Sequence, residues 1–286
     1  MRDTVLHKRL KWALRHLTPL ILTLFPLFEN KSCKQCLHCG ILCGTARRFL
    51  MKVMTFNIQH GLDYKNQVID LPLFSDFIRS QSVSFCGLNE VRGKGNWEGY
   101  TDQTGALCES LGCGGFFGEA FKVVGTNPYG NAFLSRYPVK SAEVVPIPDS
   151  TDRSEDVHYE TRCAIAAVID VLGRDILFVV CHMGLAKSEA ENAVKVICDL
   201  LDSTDLPAIV MGDFNHTKAS GILDPLFDRL SDTDEKAEFT GVYTFPSYLP
   251  REKIDYILYR GLKCTSCRVV EKIVSDHFPI VAEFEI

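Results

Sequence analysis

Eight short apolar runs, rich in β-branched and aromatic residues, recur along the sequence and predict β-strands. They cover residues 52–58, 83–88, 131–135, 162–171, 175–181, 208–212, 254–259 and 278–284. Two amphipathic segments, residues 68–81 and 186–203, are predicted to be helices, because their apolar side chains recur at helical spacing. This order of elements predicts a mixed α/β fold with more strands than a simply wound parallel sheet needs.

The charge of the chain changes sign at Met51. Nine of the 31 Lys and Arg residues, but only two of the 36 acidic residues, lie in residues 1–50. Residues 1–50 therefore carry a net formal charge of +7, and residues 51–286 carry −12. We interpret residues 1–50 as a basic, cysteine-containing leader and residues 51–286 as one catalytic domain, whose length suits a single core.

Three interpretations of the leader remain open. If Arg47 and Arg48 are encoded AGG-AGG, they form a ribosome-binding sequence ahead of a start at Met51, and the leader is untranslated or disordered. Alternatively, the basic residues and the 12-residue apolar run at 17–28 resemble a secretory signal, although a stable membrane span needs about 20 residues. Finally, Cys33, Cys36, Cys39 and Cys43 have iron–sulfur spacing, which would indicate a membrane-tethered redox protein.

Polar residues follow the apolar runs of the domain with unusual regularity. Any one of them alone is more often a turn former, a surface carboxylate or a satisfied core histidine. Together they predict a site at the loop edge of a rigid sheet. The eight residues are Asn57, Glu90, His182, Asp213, Asn215, Asp255, Asp276 and His277.

The residue types in this set favour phosphoester hydrolysis. The oxygen ligands of Glu90, Asp276 and Asn57 suit Mg²⁺ or Mn²⁺ better than zinc. A histidine beside such a cation can transfer protons near neutral pH, while the cation neutralises phosphate charge. The sequence contains no Walker loop, GxGxxG, GxSxG or HExxH motif, which argues against the chemistries built on those motifs.

Eight segments of the domain, taken in order, resemble the endonuclease/exonuclease/phosphatase superfamily, which includes deoxyribonuclease I and neutral sphingomyelinases. The resemblance extends from residue 52 to residue 286, and GDFN followed by SDHFPI is its most specific part. It implies a four-layer α/β sandwich, in which two packed mixed β-sheets are flanked by helices. The segments are TFNIQHG (55–61), LNEVR (88–92), GNAFLSRYP (130–138), ETR (160–162), CHMGL (181–185), GDFN (212–215), IDYIL (254–258) and SDHFPI (275–280).

The resemblance also implies a role for each site residue. Glu90 would be the principal metal ligand, with Asn57 beside it and Asp276 at the metal or orienting the site. Asp213 and Asn215 would activate the attacking water and hold the phosphate. For the remaining residues, it implies that His277 contacts the phosphate or acts as a base held by Asp255, that His182 is a general acid, that Arg162 contacts a phosphate oxygen, and that Asn131 lines the cleft.

The chain departs from the family pattern at some motif positions, and one of these departures helps to choose between branches of the superfamily. Asn89 precedes Glu90 where the family usually has Gln, and Gln59 stands where apurinic endonucleases have Asp. Gln59, together with the second histidine, His182, indicates the deoxyribonuclease I and sphingomyelinase branch instead of abasic-site repair. No departure removes a catalytic group, so we expect an active enzyme.

The sequence therefore predicts a Mg²⁺-dependent phosphoesterase. The net charge of −12 in residues 51–286 favours a small or lipid-linked phosphoester over long nucleic acid, which is bound mainly by Lys and Arg. A DNA or RNA endonuclease or exonuclease is the alternative, and a non-catalytic binding module, which predicts an incomplete site, is a second one. The eight scattered cysteines of the domain indicate reduced thiols and a cytoplasmic protein, and we expect a monomer.

Overall fold

Two six-stranded mixed β-sheets lie face to face in this structure, a computed structural model that describes residues 49–236 and 243–286. The leader predicted over residues 1–50, with its apolar run and its four cysteines, lies outside the described residues except for positions 49 and 50. Over the described ranges, no helix has both the length and the apolar character needed to cross a bilayer. The eight described cysteines are free, and six of them are buried.

The first sheet contains the strands β1 (Leu50–Asn57), β4 (Phe85–Arg92), β5 (Gly114–Val123), β6 (Asn127–Ser135), β13 (Lys263–Val269) and β14 (Ile280–Glu285). Their order is β13–β14–β1–β4–β6–β5. Only β1 and β4 are parallel, and all other neighbours are antiparallel. A short hairpin, β2 (Leu62–Asp63) and β3 (Val68–Ile69), follows β1.

The second sheet contains the strands β7 (Val139–Pro146), β8 (Cys163–Val171), β9 (Arg174–His182), β10 (Ala208–Asp213), β11 (Ser231–Asp232) and β12 (Asp255–Arg260). Their order is β11–β12–β10–β9–β8–β7. Here β9 and β10 are the parallel pair. Each sheet thus has one central parallel pair, and three of these four strands, β1, β9 and β10, end in residues of the predicted site.

Apolar side chains from both sheets fill the space between them. Met51 and Val53 of β1 point into this inner core, whereas Met54 and Phe56 point to the outer face, as the two-residue period of a strand requires. The rings of Phe85 on β4 and Phe178 on β9 stack across the interface with centroids 4.0 Å apart. This stacked contact joins the two sheets near their centres.

Helices cover the outer face of each sheet. Helices α1 (Leu71–Gln81) and α2 (Gln103–Leu111) pack on the first sheet, and α3 (Lys187–Asp202) and α4 (Asp224–Phe227) pack on the second. Short 3₁₀ turns form at Gln59–Gly61, Lys218–Ser220 and Thr233–Lys236. The order helix, sheet, sheet, helix confirms the predicted four-layer α/β sandwich.

The first predicted helix begins later than the sequence pattern indicated. Residues 68 and 69 belong to strand β3, and the helix starts at Leu71. The reason is the cap: the Asp70 carboxylate accepts a hydrogen bond from the backbone N–H of Leu73 at 3.0 Å, and Pro72 occupies the first turn. The other predicted helix, residues 186–203, is confirmed as α3.

Candidate active site

Strand register places three predicted residues side by side at one end of the second sheet. Asp213, the last residue of β10, lies opposite His182 on parallel β9 and opposite Asp255 on antiparallel β12. The adjoining end of the first sheet carries Asn57, the last residue of β1, which lies opposite Asn89 on β4. Both sheets therefore supply polar groups to one edge of the sandwich.

A β-bulge carries Glu90 to this edge. The pairing of β4 with β6 stops at Leu88 and resumes at Val91, so Asn89 and Glu90 together oppose one residue of β6. Glu90 has a φ of 58°, in the left-handed region that few non-glycine residues adopt. Bulges beside active sites commonly redirect a side chain in this way. Contrary to the sequence-based expectation, β4 does not end near Leu88 but continues through Glu90 to Arg92.

The glycine that precedes Asp213 is required by the packing of two backbones. Gly212 has a φ of 146°, and a Cβ atom there would lie 1.8 Å from the carbonyl oxygen of Cys181. A side chain at this position would push β10 away from β9. Gly212 therefore allows the close approach that sets Asp213 beside His182.

The Asp213 carboxylate is the centre of the site. Its Oδ2 atom accepts a hydrogen bond from Asn57 Nδ2 at 3.0 Å and lies 3.5 Å from the Nε2 atoms of both His182 and His277. Its Oδ1 atom accepts the backbone N–H of Asn215 at 2.9 Å. Burial raises the pKa of Asp213 above its ordinary value, although the His277 imidazole acts against this effect.

His277 and Asp255 form a buried pair. Nδ1 of His277 lies 2.9 Å from Asp255 Oδ2, and the ring of Phe245 packs on the imidazole with centroids 4.7 Å apart. Burial alone would lower the pKa of His277, but the carboxylates of Asp255 and Asp213 outweigh it and raise the pKa to about 10. The ring is therefore positively charged near neutral pH.

His182 has different neighbours. Its Nδ1 lies 3.1 Å from Nη1 of Arg162, and its Nε2 lies 3.1 Å from Nδ2 of Asn215. The Asn215 amide also donates to the Met183 carbonyl at 2.9 Å. Burial lowers the pKa of His182 well below its ordinary value, and the positive charges of Arg162 and His277 add to this effect.

Two sets of residues could hold a metal ion. One ligand atom each from Asp213, Asp255 and His277 lies within 4.8 Å of the other two. However, both ring nitrogens of His277 face carboxylates, and a protonated imidazole has no lone pair for a cation. The partly exposed carboxylates of Glu90 and Asp276 are the second set.

The second set has the donor chemistry of a hard-cation site. Burial raises the pKa of Asp276, the His277 imidazole acts against this effect, and repulsion from the negative charge of Glu90 adds to it. A divalent cation would relieve that repulsion. Asn57 donates to Glu90 Oε1 at 2.9 Å, and its own Oδ1 accepts the backbone N–H of Gln59 at 3.0 Å. As placed, Asn57 orients the Glu90 carboxylate.

Asn131 lines a small cavity beside Arg162 and His182 and is almost completely buried. It is 2% exposed, its Oδ1 accepts from Asn89 Nδ2 at 2.8 Å, and its Nδ2 donates to the Cys163 carbonyl at 2.9 Å. The structure brings the remaining eight predicted residues together around Asp213.

Sequence reasoning missed two polar residues of the site. Asn89 joins the sheets, because its Nδ2 donates to the Cys181 carbonyl at 3.1 Å and its Oδ1 accepts the backbone N–H of Asp213 at 2.9 Å. Its position directly before Glu90 in the acid motif was the available signal. The Tyr129 hydroxyl donates to Glu90 Oε2 at 3.0 Å, and nothing in the sequence around Tyr129 indicates this role.

Sequence comparisons match this chain to one family model and to a relative from a bacterium. The sequence model of the Endonuclease/Exonuclease/phosphatase family matches residues 54–277. The uncharacterized protein YbhP of Escherichia coli (strain K12) is 25% identical over 263 residues, which cover 84% of this chain and 98% of YbhP.

Solved structures share the fold. An endonuclease/exonuclease/phosphatase from Beutenbergia cavernae DSM 12333 has a TM-score of 0.71 at 23% identity, covering 84% of this chain and 72% of that one. The mannosyl-6-phosphatase Bt3783 of Bacteroides thetaiotaomicron VPI-5482 has a TM-score of 0.68 at 17% identity, covering 82% and 100%.

The family match spans most of the chain and includes all ten predicted site residues, from Asn57 to His277. Members of this family are generally hydrolases of phosphoester bonds and typically depend on a divalent metal ion. The chain therefore belongs to the endonuclease/exonuclease/phosphatase family.

Proposed function

We propose that this chain is a Mg²⁺-dependent phosphoesterase that hydrolyses a phosphodiester or phosphomonoester by in-line attack of water on phosphorus. The position of Asp213 carries the proposal. Its Oδ2 atom lies 3.5 Å from Nε2 of both His182 and His277, and 3.0 Å from the Asn57 amide that also holds Glu90. A proton acceptor, two imidazoles and a cation-binding carboxylate thus belong to one network.

Asp213 is the proposed base for the attacking water. A carboxylate in water is a weak base at neutral pH, but burial raises the pKa of Asp213 and so strengthens it. The backbone N–H of Asn215 and the Asn57 amide fix the orientation of the carboxylate. Asp213 would take the proton, while the Asn215 side chain would help to hold the phosphoryl group.

We propose that the positively charged His277 imidazole stabilises the negative charge of the phosphoryl group. The Asp255 carboxylate holds its Nδ1, so its Nε2–H is directed toward the Asp213 side of the site. Because the pKa of His277 is raised to about 10, the imidazolium persists at neutral pH and can stabilise negative charge in the transition state.

Glu90 and Asp276, with Asn57 beside them, are the residues that would hold Mg²⁺, which would neutralise charge on the phosphoryl oxygens when bound. Mn²⁺ suits the same oxygen donors. Tyr129 donates to one oxygen of Glu90 and Asn57 donates to the other, so the carboxylate is oriented before any cation arrives. Orientation of a ligand by such outer partners raises metal affinity.

We favour a small or lipid-linked phosphoester as substrate. Residues 51–286 carry a net charge of −12, which opposes binding of a long polyanion. One protein with the same fold, Bt3783, is a mannosyl-6-phosphatase, which shows that the fold can serve a small phosphoester in that protein.

A substrate panel tests the proposal. The full-length chain with Mg²⁺ is assayed on bis-p-nitrophenyl phosphate, p-nitrophenyl phosphate, inositol phosphates, sphingomyelin and plasmid DNA. We expect hydrolysis of at least one small or lipid-linked ester at a higher kcat/KM than any nucleic acid. Efficient cleavage of plasmid DNA alone would indicate the nuclease alternative. Binding of a phosphoester without turnover would indicate a non-catalytic module.

A further inference from the structure

The two histidines of the site are held by groups of opposite charge. Nδ1 of His277 faces the Asp255 carboxylate, whereas Nδ1 of His182 lies 3.1 Å from Nη1 of Arg162. The other nitrogen of His182, Nε2, lies 3.5 Å from Asp213 Oδ2. The protonation of His182 is therefore set differently from that of His277.

The donors around His182 decide which of its nitrogens carries the proton. A guanidinium has no acceptor, so Arg162 can bond to Nδ1 only if that nitrogen keeps its lone pair. The Asn215 amide, 3.1 Å from Nε2, favours the opposite arrangement, because one of its two N–H groups donates to the Met183 carbonyl at 2.9 Å and the other is left for Nε2. A charge-assisted bond is roughly twice as strong as a neutral one, so the Arg162 contact prevails. The proton then lies on Nε2, and the N–H group faces the Asp213 carboxylate, whose Oδ2 atom is 3.5 Å away.

Arg162 is itself fixed. It directly precedes β8, its side chain is 10% exposed, and its Nη1 forms a 2.8 Å ion pair with Glu160 Oε2. The backbone N–H of Glu160 donates in turn to Glu189 Oε1 on helix α3 at 3.0 Å. A guanidinium keeps its charge at every physiological pH. The donor that faces Nδ1 of His182 is therefore permanent.

The charged groups around the ring oppose its protonation on balance. Arg162, Asp213 and His277 face His182, and two of these three are cationic. Burial and the positive charges of Arg162 and His277 together lower the pKa of His182 well below its ordinary value. The ring stays neutral across the neutral pH range.

We propose that Arg162 is a positioning residue that locks His182 in the neutral Nε2–H tautomer. His182 then serves as a fixed hydrogen-bond donor toward Asp213 and the phosphoryl group, and not as the general acid that the family resemblance implies. The catalytic consequence rests on the proposed phosphoesterase function, whereas the tautomer is a property of the free protein.

The tautomer can be measured without any activity. Two-bond ¹H–¹⁵N correlation spectra of the full-length chain with ¹⁵N-labelled imidazoles distinguish Nε2–H, Nδ1–H and protonated rings. The signals of His182 are assigned by their loss in His182→Gln. We expect a single Nε2–H form with no titration between about pH 6 and pH 8. An Nδ1–H form or a protonated ring in that range overturns the proposal.

Variants of Arg162 test whether this residue sets the tautomer. Arg162→Met removes the donor, whereas Arg162→Lys keeps a cation that can donate. We expect mixed tautomers or a titrating His182 in the Met variant and a retained Nε2–H form in the Lys variant. Identical His182 signals in all three proteins overturn the positioning role. Circular dichroism checks folding, and the wild-type spectrum alone decides the tautomer if a variant does not fold.

Kinetics separate positioning from direct substrate binding. On bis-p-nitrophenyl phosphate with Mg²⁺, we expect Arg162→Met to lower kcat by about 10- to 100-fold with KM nearly unchanged and an altered pH profile. Arg162→Lys should recover most of kcat. A rise in KM alone, with the wild-type pH profile, would show that Arg162 binds substrate directly and would overturn the proposal. If the wild-type protein hydrolyses no phosphoester, the proposed function fails, and the spectra still decide the tautomer.

Discussion

Asp255 holds Nδ1 of His277 through a 2.9 Å hydrogen bond between two buried side chains, and the other nitrogen of the same imidazole, Nε2, lies 3.5 Å from Asp213 Oδ2. The pairing fixes both the orientation and the charge of His277. It also assigns Asp255 to the support of the imidazole, although Asp255, His277 and Asp213 together have the spacing of a metal-ligand group.

Asp255→Asn should therefore lower kcat by about 10²- to 10⁴-fold while the protein stays folded. An amide cannot stabilise the imidazolium, so the pKa of His277 should fall toward its ordinary value. Steady-state kinetics and the NMR titration of His277 check both effects. The matched control is Asp205→Asn, an exposed carboxylate outside the site. Unchanged kcat in Asp255→Asn would refute the assignment.

The stability of the metal-free protein should depend on pH through His277. Its pKa rises from an ordinary 6.5 to about 10 on folding. Its contribution is therefore fully present below pH 6.5 and is lost as the pH rises through about 10. In urea unfolding with a chelator present, the stability difference between wild type and His277→Gln should shrink by up to roughly 4 kcal/mol from about pH 6 to pH 10. A difference that stays constant or widens would contradict this sign.

Glu90, the carboxylate at the β-bulge, should determine how the rate of hydrolysis depends on the Mg²⁺ concentration. We expect a chelator to abolish hydrolysis and Mg²⁺ to restore it. Glu90→Gln should raise the Mg²⁺ concentration for half-maximal activity by at least about tenfold, because an amide is a poorer cation ligand. The exposed Glu109→Gln serves as the control. If Glu90→Gln and wild type show the same Mg²⁺ dependence, Glu90 does not bind the ion.

Gly212→Ala should destabilise the fold strongly. The added Cβ would meet the Cys181 carbonyl at 1.8 Å, and the backbone φ of 146° is unfavourable for alanine. We expect a loss of about 3 kcal/mol or more in the free energy of unfolding by urea. Gly114→Ala is the matched control, since its added Cβ would meet only the Ser135 carbonyl, at 3.7 Å. Equal losses in both variants would argue against this role of Gly212.

The sequence predicted the layers of the fold well because buried strands and amphipathic helices leave strong apolar patterns. Strand β7 was missed because most of its residues are exposed and no apolar alternation marks it. Strand β5, which begins with Gly114 and Gly115, was missed because its residues are largely exposed or half-buried and its start is rich in glycine.

The sequence predicted which residues form the site but not the contacts that join them. Residues such as Asp213 and His277 stand in recognisable motifs at or near the ends of apolar runs, so a common site at the loop edge of a sheet was predictable. The bulge that redirects Glu90 and the hydroxyl of Tyr129 that orients it depend on pairing between β4 and β6, which no local pattern encodes. The same holds for the Arg162 contact with His182, which joins residues 20 positions apart.

Asp213 is proposed to activate water in a metal-dependent phosphoester hydrolysis. The most direct measurement compares kcat/KM of full-length wild type and Asp213→Asn, with Mg²⁺ and with a chelator, on the best substrate of the panel. We predict a loss of about 10³-fold or more in the variant, together with circular dichroism identical to wild type. Near wild-type hydrolysis by Asp213→Asn would contradict the role of Asp213, and hydrolysis that persists in the chelator would contradict metal dependence.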